Sequence, residues 1–208
     1  MYIHRTTCLL LLLTLYCSGN QRSIPRDPLA SSIETNPAVV KPTRPTLDMV
    51  AVQSAAETFY IDRYETSELA PGDFFSARNQ SPRVQITARE AGEVCATQGK
   101  RLCSYDEWKN ACLGIRRNRY SYGKTFRKEV CNLASSALMP TGRKRECRTD
   151  TEVHDMLGNA MEWVADTRRG RALAVGGSFA TGEASDCFTK HYFTPDTRNS
   201  QIGFRCCL

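Results

Sequence analysis

The sequence DMLGNAMEW, from Asp155 to Trp163, carries the most specific information about the fold. Gly158 permits a backbone turn that a Cβ atom would forbid, and the Gly176–Gly177 pair has the same property. Trp163 and Trp108 are the two tryptophans of the chain and its largest apolar side chains. We predict that both lie in the core, although either could instead line a ligand site. The stretch is thus expected to combine a turn with a buried aromatic side chain.

The length and composition indicate one globular domain. The chain has 208 residues, of which 41% are hydrophobic and 24% are charged. This is enough for one well-packed core but not for two large domains. The composition excludes a low-complexity chain, a collagen-like repeat and a multi-span membrane protein. The formal net charge of +6 is compatible with an acidic partner.

An apolar run at the N-terminus predicts export. Cys8–Tyr16 follows the basic Arg5 and has the length of a signal-peptide hydrophobic region, far short of the roughly 20 residues that span a bilayer. A core segment would not stand between a basic start and a polar linker. We therefore expect residues 1–19 to be a signal peptide. Lipidation at Cys17, as in a bacterial lipoprotein, and cleavage after Gly19 both remain open.

The next segment, residues 20–47, predicts an extended linker. It holds five of the nine prolines of the chain, among Ser, Thr and Asn residues. Such a segment buries little apolar surface. The folded domain is therefore expected to span residues 48–208.

Export changes the interpretation of the cysteines. An even number of cysteines in an oxidising compartment predicts disulfides, here four. A zinc site is the alternative, but the chain has no C-x-x-C pair and few histidines. Eight cysteines allow 105 connectivities, so their number alone does not give the pairing. The cysteines of the domain are Cys95, Cys103, Cys112, Cys131, Cys147, Cys187, Cys206 and Cys207.

Local signals predict an α+β domain with long loops. Thr87 with Glu90, and Ser104 with Glu107, form capping boxes that open two helices. The helices are expected to end near Gly99 and at Gly114, respectively. Residues 115–150 are predicted to consist mainly of loops. The predicted strands are Glu57–Glu65, Ala172–Phe179 and Gln201–Cys207.

Several motifs together resemble the formylglycine-generating enzyme (sulfatase-modifying factor) domain family. The resemblance covers residues 48–207. It implies a loop-rich, disulfide-stabilised α+β domain, a variant of the C-type lectin fold. The motifs are Phe59–Glu65, Gly99–Cys103 with Asp106–Trp108, Tyr120–Gly123, Asp155–Trp163, and Gly176–Ser178 with Ile202–Cys206.

The same resemblance implies how the cysteines pair. Cysteine spacings in the family correspond to the bridges Cys95–Cys206 and Cys112–Cys187 in this chain. For the four remaining cysteines, Cys131–Cys147 and Cys103–Cys207 are the favoured pairs, and the other pairings of these four stay open.

The copper-binding cysteines of the family are missing from this chain. The family's activity oxidises a sulfatase cysteine to formylglycine with two copper-binding cysteines, which would lie within Phe179–Cys187. That interval holds only Cys187, and Thr181–Asp186 offers no soft sulfur ligand. An iron centre would need two histidines and a carboxylate, and the domain has only His154 and His191. We therefore expect neither copper nor iron and assign no catalytic residue.

A calcium site is implied by the match to the family. The segment corresponding to Asp155–Glu162 wraps a calcium ion in relatives. Here Asp155 and Glu162 would supply side-chain oxygens, while Gly158 and Ala160 would supply carbonyls, the hard ligands that calcium prefers. A loop held by hydrogen bonds alone is the alternative.

A run of basic residues between 115 and 148 suggests an anionic partner. If these loops lie together, they form a positive face for an anionic glycan, a lipid headgroup or an acidic envelope protein. A solvated face scattered over separate loops is the alternative. The candidate anion-binding residues are Arg116, Arg117, Arg119, Arg143, Lys144 and Arg145.

Together these observations predict a non-catalytic binding or scaffolding module of the bacterial envelope. The expected location is the periplasm, the outer membrane as a lipoprotein, or the exterior after secretion. Nucleic acid is not an expected partner, and membrane contact is expected only through an N-terminal lipid. The alternative function is an envelope oxidoreductase of the same family with an unrecognised active site.

Overall fold

The computed structural model describes residues 48–55, 57–182 and 185–208. The predicted signal peptide, Cys17 and the predicted linker lie outside these residues. Neither helix in the described part is long and apolar enough to cross a membrane. In chain order the elements are β1 Met49–Gln53, β2 Thr58–Asp62, β3 Thr66–Glu68, β4 Phe74–Ser76, α1 Ala88–Thr97, β5 Arg101–Leu102, α2 Tyr105–Leu113, β6 Met161–Arg168, β7 Arg171–Val175, β8 Lys190–Phe193, β9 Ile202–Phe204 and β10 Cys206–Cys207.

Both helices begin at the predicted capping boxes. The Thr87 hydroxyl accepts a hydrogen bond from the Glu90 backbone N–H, and the Glu90 carboxylate accepts one from the Thr87 N–H. Ser104 and Glu107 make the same reciprocal pair at the start of α2. Each box satisfies two donors that a helix start would otherwise leave unpaired. The sequence prediction of both helix starts is confirmed.

Two four-stranded sheets and one hairpin form the β structure. The first sheet has the order β1-β2-β10-β5 and the second the order β8-β7-β6-β9, while β3 pairs with β4. All neighbours are antiparallel except β6 and β9, which run parallel with Glu162 opposite Gly203. The C-terminal residues thus enter both sheets, through β9 and β10.

The predicted strands exist but are shorter or divided. β2 lies within the predicted Glu57–Glu65, β7 begins one residue before the predicted Ala172 and ends at Val175, and Gln201–Cys207 is split at Arg205 into β9 and β10. The side chain of Arg205, which lies between β9 and β10, is 1% exposed. Six strands were not predicted, since short strands take their register from distant partners. They are β1, β3, β4, β5, β6 and β8.

Both tryptophans lie in the core, as predicted. Trp108 is 0% exposed and Trp163 is 1% exposed. Trp163 Nε1 donates to the Ile86 carbonyl at 2.8 Å, so its polar atom is satisfied. Gly176 has φ +84°, and a Cβ at this position would lie 2.8 Å from the Trp108 ring. Glycine is therefore required both for the backbone conformation and for the close packing against Trp108.

Four disulfides cross-link the domain. Cys95–Cys206 and Cys112–Cys187 are the pairs that the family resemblance implied, and the structure resolves the pairing of the other four cysteines in the favoured way. Two of the bridges anchor the consecutive cysteines of β10 to the segment that carries α1 and α2. In the chain-entropy model a bridge stabilises by restricting the unfolded chain, more so for longer loops. The bridges are Cys95–Cys206, Cys103–Cys207, Cys112–Cys187 and Cys131–Cys147, which join residues 111, 104, 75 and 16 positions apart.

Candidate functional site

The interval expected to hold catalytic cysteines carries the hydroxyl groups of Thr181 and Ser185 instead. Thr181 Oγ1 donates to the Ser178 carbonyl at 2.8 Å and accepts a hydrogen bond from Ser185 Oγ at 2.8 Å. Cys187, the next residue that carries sulfur, is bonded to Cys112 and is fully buried. Since all eight cysteines between residues 48 and 208 are in disulfides, this domain presents no thiolate.

A buried ion pair lies where β6 meets the C-terminal strands. Arg205 Nε and Nη2 donate to the two carboxylate oxygens of Glu162, each at 2.7 Å. Trp108 Nε1 donates to the same carboxylate at 2.8 Å. The remaining guanidinium donors reach the backbone carbonyls of Asp62, Arg63 and His154 at 2.8–3.2 Å. All five N–H groups of Arg205 face acceptors in this arrangement, which is how a buried guanidinium is accommodated.

Two further carboxyl groups are buried next to this pair. Glu65 accepts hydrogen bonds from Asn159 Nδ2 at 2.8 Å and from the Ala160 N–H at 3.1 Å. Burial, followed by repulsion from Asp155 and Glu162, raises the pKa of Glu65 well above its usual value. Burial also raises the pKa of Asp155 to about 7, although a hydrogen bond from the Gly142 N–H opposes this shift.

Of the predicted calcium ligands, the two carboxylates, Asp155 and Glu162, already have protein partners. Three carboxyl groups (Glu65, Asp155 and Glu162) face one guanidinium, so a cation fits the net charge. Both oxygens of Glu162, however, are taken by Arg205 and Trp108. Within the described residues, no group of three or more His, Cys, Asp or Glu side chains is placed to hold a metal ion. Calcium binding at this loop therefore stays a prediction.

The predicted anion-binding residues are divided between two clefts and individual polar contacts. Arg119 pairs with Asp186 at 2.9 Å, and Arg117 donates to the Asn110 side chain at 2.7 Å. Lys144 donates to the Glu129 carbonyl at 3.1 Å. Arg116 lines a cleft of about 290 Å³ in which three acidic residues balance three arginines. Those six residues are Arg116, Arg127, Arg148, Glu146, Asp150 and Glu152.

The two other predicted residues, Arg143 and Arg145, line a separate cleft. It also measures about 290 Å³, and Arg78, Asn79, Thr141 and Gly142 complete its lining. We call it the arginine cleft. Sequence analysis missed Arg78 because it lies 65 positions before Arg143, and no local pattern indicates that the two residues meet. It missed Glu65 for the same reason, although Glu65 ends one of the quoted motifs.

Comparison with known proteins identifies the family. Residues 49–208 match the family model described as the sulfatase-modifying factor enzyme 1-like domain. The chain belongs to this family. Over 160 residues it is 29% identical to the mouse protein named inactive C-alpha-formylglycine-generating enzyme 2 and 27% identical to the cattle protein of that name. The matches cover 65% of this chain and 52% and 53% of those proteins, so the chain spans about half the length of these curated relatives.

Solved structures show the same fold at low sequence identity. CarF matches with a TM-score of 0.58 and 17% identity, over 77% of this chain and 97% of that one. PvdO from Pseudomonas aeruginosa matches with a TM-score of 0.59 and 16% identity, over 76% and 89%. The Major Tropism Determinant I1 variant matches at 0.59 and 15%, over 77% and 55%. The domain is therefore an α+β formylglycine-generating-enzyme variant of the C-type lectin fold.

Proposed function

We propose that this member of the sulfatase-modifying factor family is an exported, non-catalytic binding or scaffolding module. The observation that carries the proposal is that every cysteine of residues 48–208 lies in a disulfide. Copper(I) chemistry needs soft thiolate ligands, and a disulfide sulfur is not a thiolate. The hydroxyls of Thr181 and Ser185, which occupy the corresponding interval, do not replace them.

The curated relatives support a non-catalytic member. Both carry the word inactive in their names, and both match over 160 residues. Because this chain spans about half of their length, nothing else about those proteins is transferred to it.

Two features support export to the bacterial envelope. The apolar run at Cys8–Tyr16 has the length of a signal-peptide region. Four disulfides in one domain are typical of oxidising compartments such as the periplasm or the cell exterior. Anchoring through a lipid on Cys17 and release after cleavage at Gly19 are the two forms of this proposal. Cell fractionation of wild type and Cys17→Ser separates them, because only an anchored protein leaves the membrane fraction on substitution.

The partner class follows from charge. The net charge is +6, and the arginine cleft has no balancing acid among its lining residues. An anionic glycan, a lipid headgroup or an acidic envelope protein fits this surface, and calcium is proposed only as a structural ion at Asp155–Glu162.

A direct activity assay tests the non-catalytic proposal. Purified protein is incubated with a peptide that contains the sulfatase pattern Cys-x-Pro-x-Arg, with and without copper(I). Mass spectrometry is expected to show no conversion of the thiol to an aldehyde. In parallel, alkylation of the unreduced protein should label no cysteine of residues 48–208, while the reduced and unfolded protein labels all eight.

Aldehyde formation, or a labelled native thiol together with stoichiometric copper, would overturn the proposal. Either result would favour the alternative of an envelope oxidoreductase with an active site of a new kind.

A further inference from the structure

The arginine cleft carries unbalanced positive charge, whereas most of the other described arginines pair with a carboxylate. Nine of the described arginines lie within 4.0 Å of a carboxylate, as Arg119 does with Asp186. Arg78, Arg143 and Arg145 are not among the nine, yet they converge on one cleft. These three residues are exposed, and their lining partners are Asn79, Thr141 and Gly142, none of which carries a charge.

The neighbouring cleft provides an internal comparison. It has the same volume, about 290 Å³, and also holds three arginines. There Arg127 lies 3.8 Å from Glu146, and Arg148 lies 2.5 Å from Glu152. The acidic residues of that cleft balance its arginines. No acidic residue lines the arginine cleft, so its positive charge is available to a ligand.

The floor of the arginine cleft is fixed by hydrogen bonds between two distant segments. The Asn79 N–H donates to the Thr141 carbonyl at 2.8 Å, and the Thr141 N–H donates to the Gln80 carbonyl at 2.8 Å. Thr141 Oγ1 donates to the Ala77 carbonyl at 2.6 Å and accepts the Gln80 N–H at 3.1 Å. Four hydrogen bonds thus hold the arginine-bearing segments at a set distance, which lowers the ordering cost of binding.

A glycine allows Arg78 to join the cleft. Gly142 has φ +64°, and a Cβ at this position would lie 2.7 Å from the Tyr64 ring and 3.1 Å from Cγ of Arg78. Arg78 Nη2 also reaches the Gly142 carbonyl at 3.4 Å. The buried Asp155 carboxylate accepts a hydrogen bond from the Gly142 N–H at 2.6 Å and interacts electrostatically with Arg78, although Asp155 does not line the cleft.

The charge, size and lining of the arginine cleft indicate which chemical class of ligand it binds. Three arginines line this small cleft. Arginine suits an oxoanion with several terminal oxygens, because a planar guanidinium group can donate two parallel hydrogen bonds. The volume is at the low end for ligand pockets, which fits a small group and part of its carrier. No apolar side chain lines the cleft, so the carrier is polar. This excludes a lipid tail and favours a sugar.

We propose that the arginine cleft binds a sulfate or phosphate monoester carried by a sugar, through Arg78, Arg143 and Arg145. The proposal rests on the binding function proposed above and narrows its ligand to an anionic glycan. The two esters share the same recognition chemistry, and the probes below distinguish them.

Calorimetry with the full chain at low salt tests the proposal. The probes are glucose 6-sulfate, glucose 6-phosphate and unmodified glucose. Wild type is expected to bind one or both esters and not glucose, and whichever ester binds more tightly identifies the source of the oxoanion. The Arg143→Gln/Arg145→Gln variant should lose at least about tenfold in affinity, since hydrogen bonds to charged groups are the strong ones.

The matched control removes the same charge elsewhere. Arg168 is the last residue of β6 and Arg169 follows it. Both are exposed, line none of the clefts described above and have no carboxylate within 4.0 Å among the described residues. Arg168→Gln/Arg169→Gln should bind like wild type, and Arg78→Gln should resemble the cleft variant. Since none of these arginines makes an ion pair with a described residue, all variants are expected to melt within about 2 °C of wild type.

Three results would overturn the proposal. One is equal weakening by the cleft and control variants, which indicates unspecific charge. Another is equal binding of glucose and its esters. The third is binding of phosphatidylglycerol vesicles without binding of either ester, which assigns the cleft to a membrane surface. None of these results bears on the aldehyde assay, so the failure of this proposal and the failure of the non-catalytic proposal are distinguishable.

Discussion

The buried Arg205–Glu162 pair gives the most demanding test of how this domain is held together. Each side chain is 1% exposed, and the guanidinium makes two hydrogen bonds to the carboxylate and three to backbone carbonyls. Arg205→Met keeps an extended apolar side chain but removes every one of these donors. Glu162 is then a buried carboxylate whose remaining side-chain partner is Trp108 Nε1.

The expected loss in the free energy of unfolding comes from leaving the buried Glu162 charge without its partner. Removal of one partner from a buried ion pair costs about 3–5 kcal/mol, because the other charge stays buried without its partner. The three carbonyls that lose a donor add to this cost. Domains of this size are stable by about 5–15 kcal/mol, so Arg205→Met should still fold at low temperature with its disulfides intact.

The companion change, Glu162→Gln, removes the stranded charge. The amide that replaces the carboxylate is neutral, and its oxygen could still accept the Trp108 hydrogen bond. Arg205→Met/Glu162→Gln should therefore be more stable than Arg205→Met alone. We expect a coupling energy of about 2 kcal/mol or more in the double-mutant cycle.

Urea unfolding of the unreduced protein, followed by tryptophan fluorescence, measures the four free energies of unfolding. The exposed pair Arg89–Glu93, with side chains 74% and 60% exposed, is the matched control. Arg89→Met and Glu93→Gln should each change the free energy of unfolding by about 0.5 kcal/mol or less. The reasoning is refuted if the two buried substitutions are additive within about 0.5 kcal/mol, or if Arg205→Met costs no more than the control.

Three further predictions concern pH, a disulfide and calcium. Burial raises the pKa of Asp155 from its usual 3.8 to about 7 in the folded protein. The folded state therefore favours the neutral carboxyl group, and the stability that this contributes is complete below the unfolded pKa and is lost as the pH rises through 7. Between about pH 5 and pH 8, the free energy of unfolding of Asp155→Asn should rise by up to about 3 kcal/mol relative to that of wild type. Urea unfolding in EDTA measures both, and a difference between the two proteins that does not change with pH would contradict the prediction. Cys131→Ser/Cys147→Ser opens a loop of 16 residues and should lower the free energy of unfolding by about 3 kcal/mol, with an unchanged value speaking against a formed bridge. If calcium binds at Asp155–Glu162, chelation lowers the melting temperature of wild type but not of Asp155→Ala, and equal melting temperatures of wild type with and without calcium would reject the site.

Local sequence signals predicted the parts of this fold that depend on local physics. Thr87 and Ser104 are followed three residues later by Glu90 and Glu107, and a capping box needs nothing beyond that spacing. Strand β6 carried no such signal, since it is defined by pairing with β7 and with the distant, parallel β9. The disulfide pairing came from the family resemblance and not from the number of cysteines.

The candidate site was predicted only in part, for a similar reason. Arg143 and Arg145 lie in a basic stretch that the sequence displays directly. Their convergence with Arg78 depends on hydrogen bonds between residues 77–80 and 141, and composition does not contain that information. The same composition placed Arg119 in the candidate set, although Asp186 neutralises it in the folded chain.

Several elements that stabilise this domain do not require cysteines at Thr181–Asp186, so the chain can keep the fold without a cysteine pair there. The Arg205–Glu162 pair fixes the C-terminal strands to β6, and the bridges of Cys206 and Cys207 fix them to the helical half. The loop that carries Arg143 and Arg145 has separate supports. The Cys131–Cys147 bridge closes it, the Asp155 N–H donates to the Cys147 carbonyl, and the Asp155 carboxylate accepts the Gly142 N–H. The first part of this loop also contacts the Phe179–Cys187 interval, since the Ser135 N–H donates to the Phe179 carbonyl at 2.8 Å and the Gly182 N–H donates to the Leu133 carbonyl at 2.7 Å. A positively charged loop that is cross-linked in this way is a surface on which binding can evolve while the core stays unchanged.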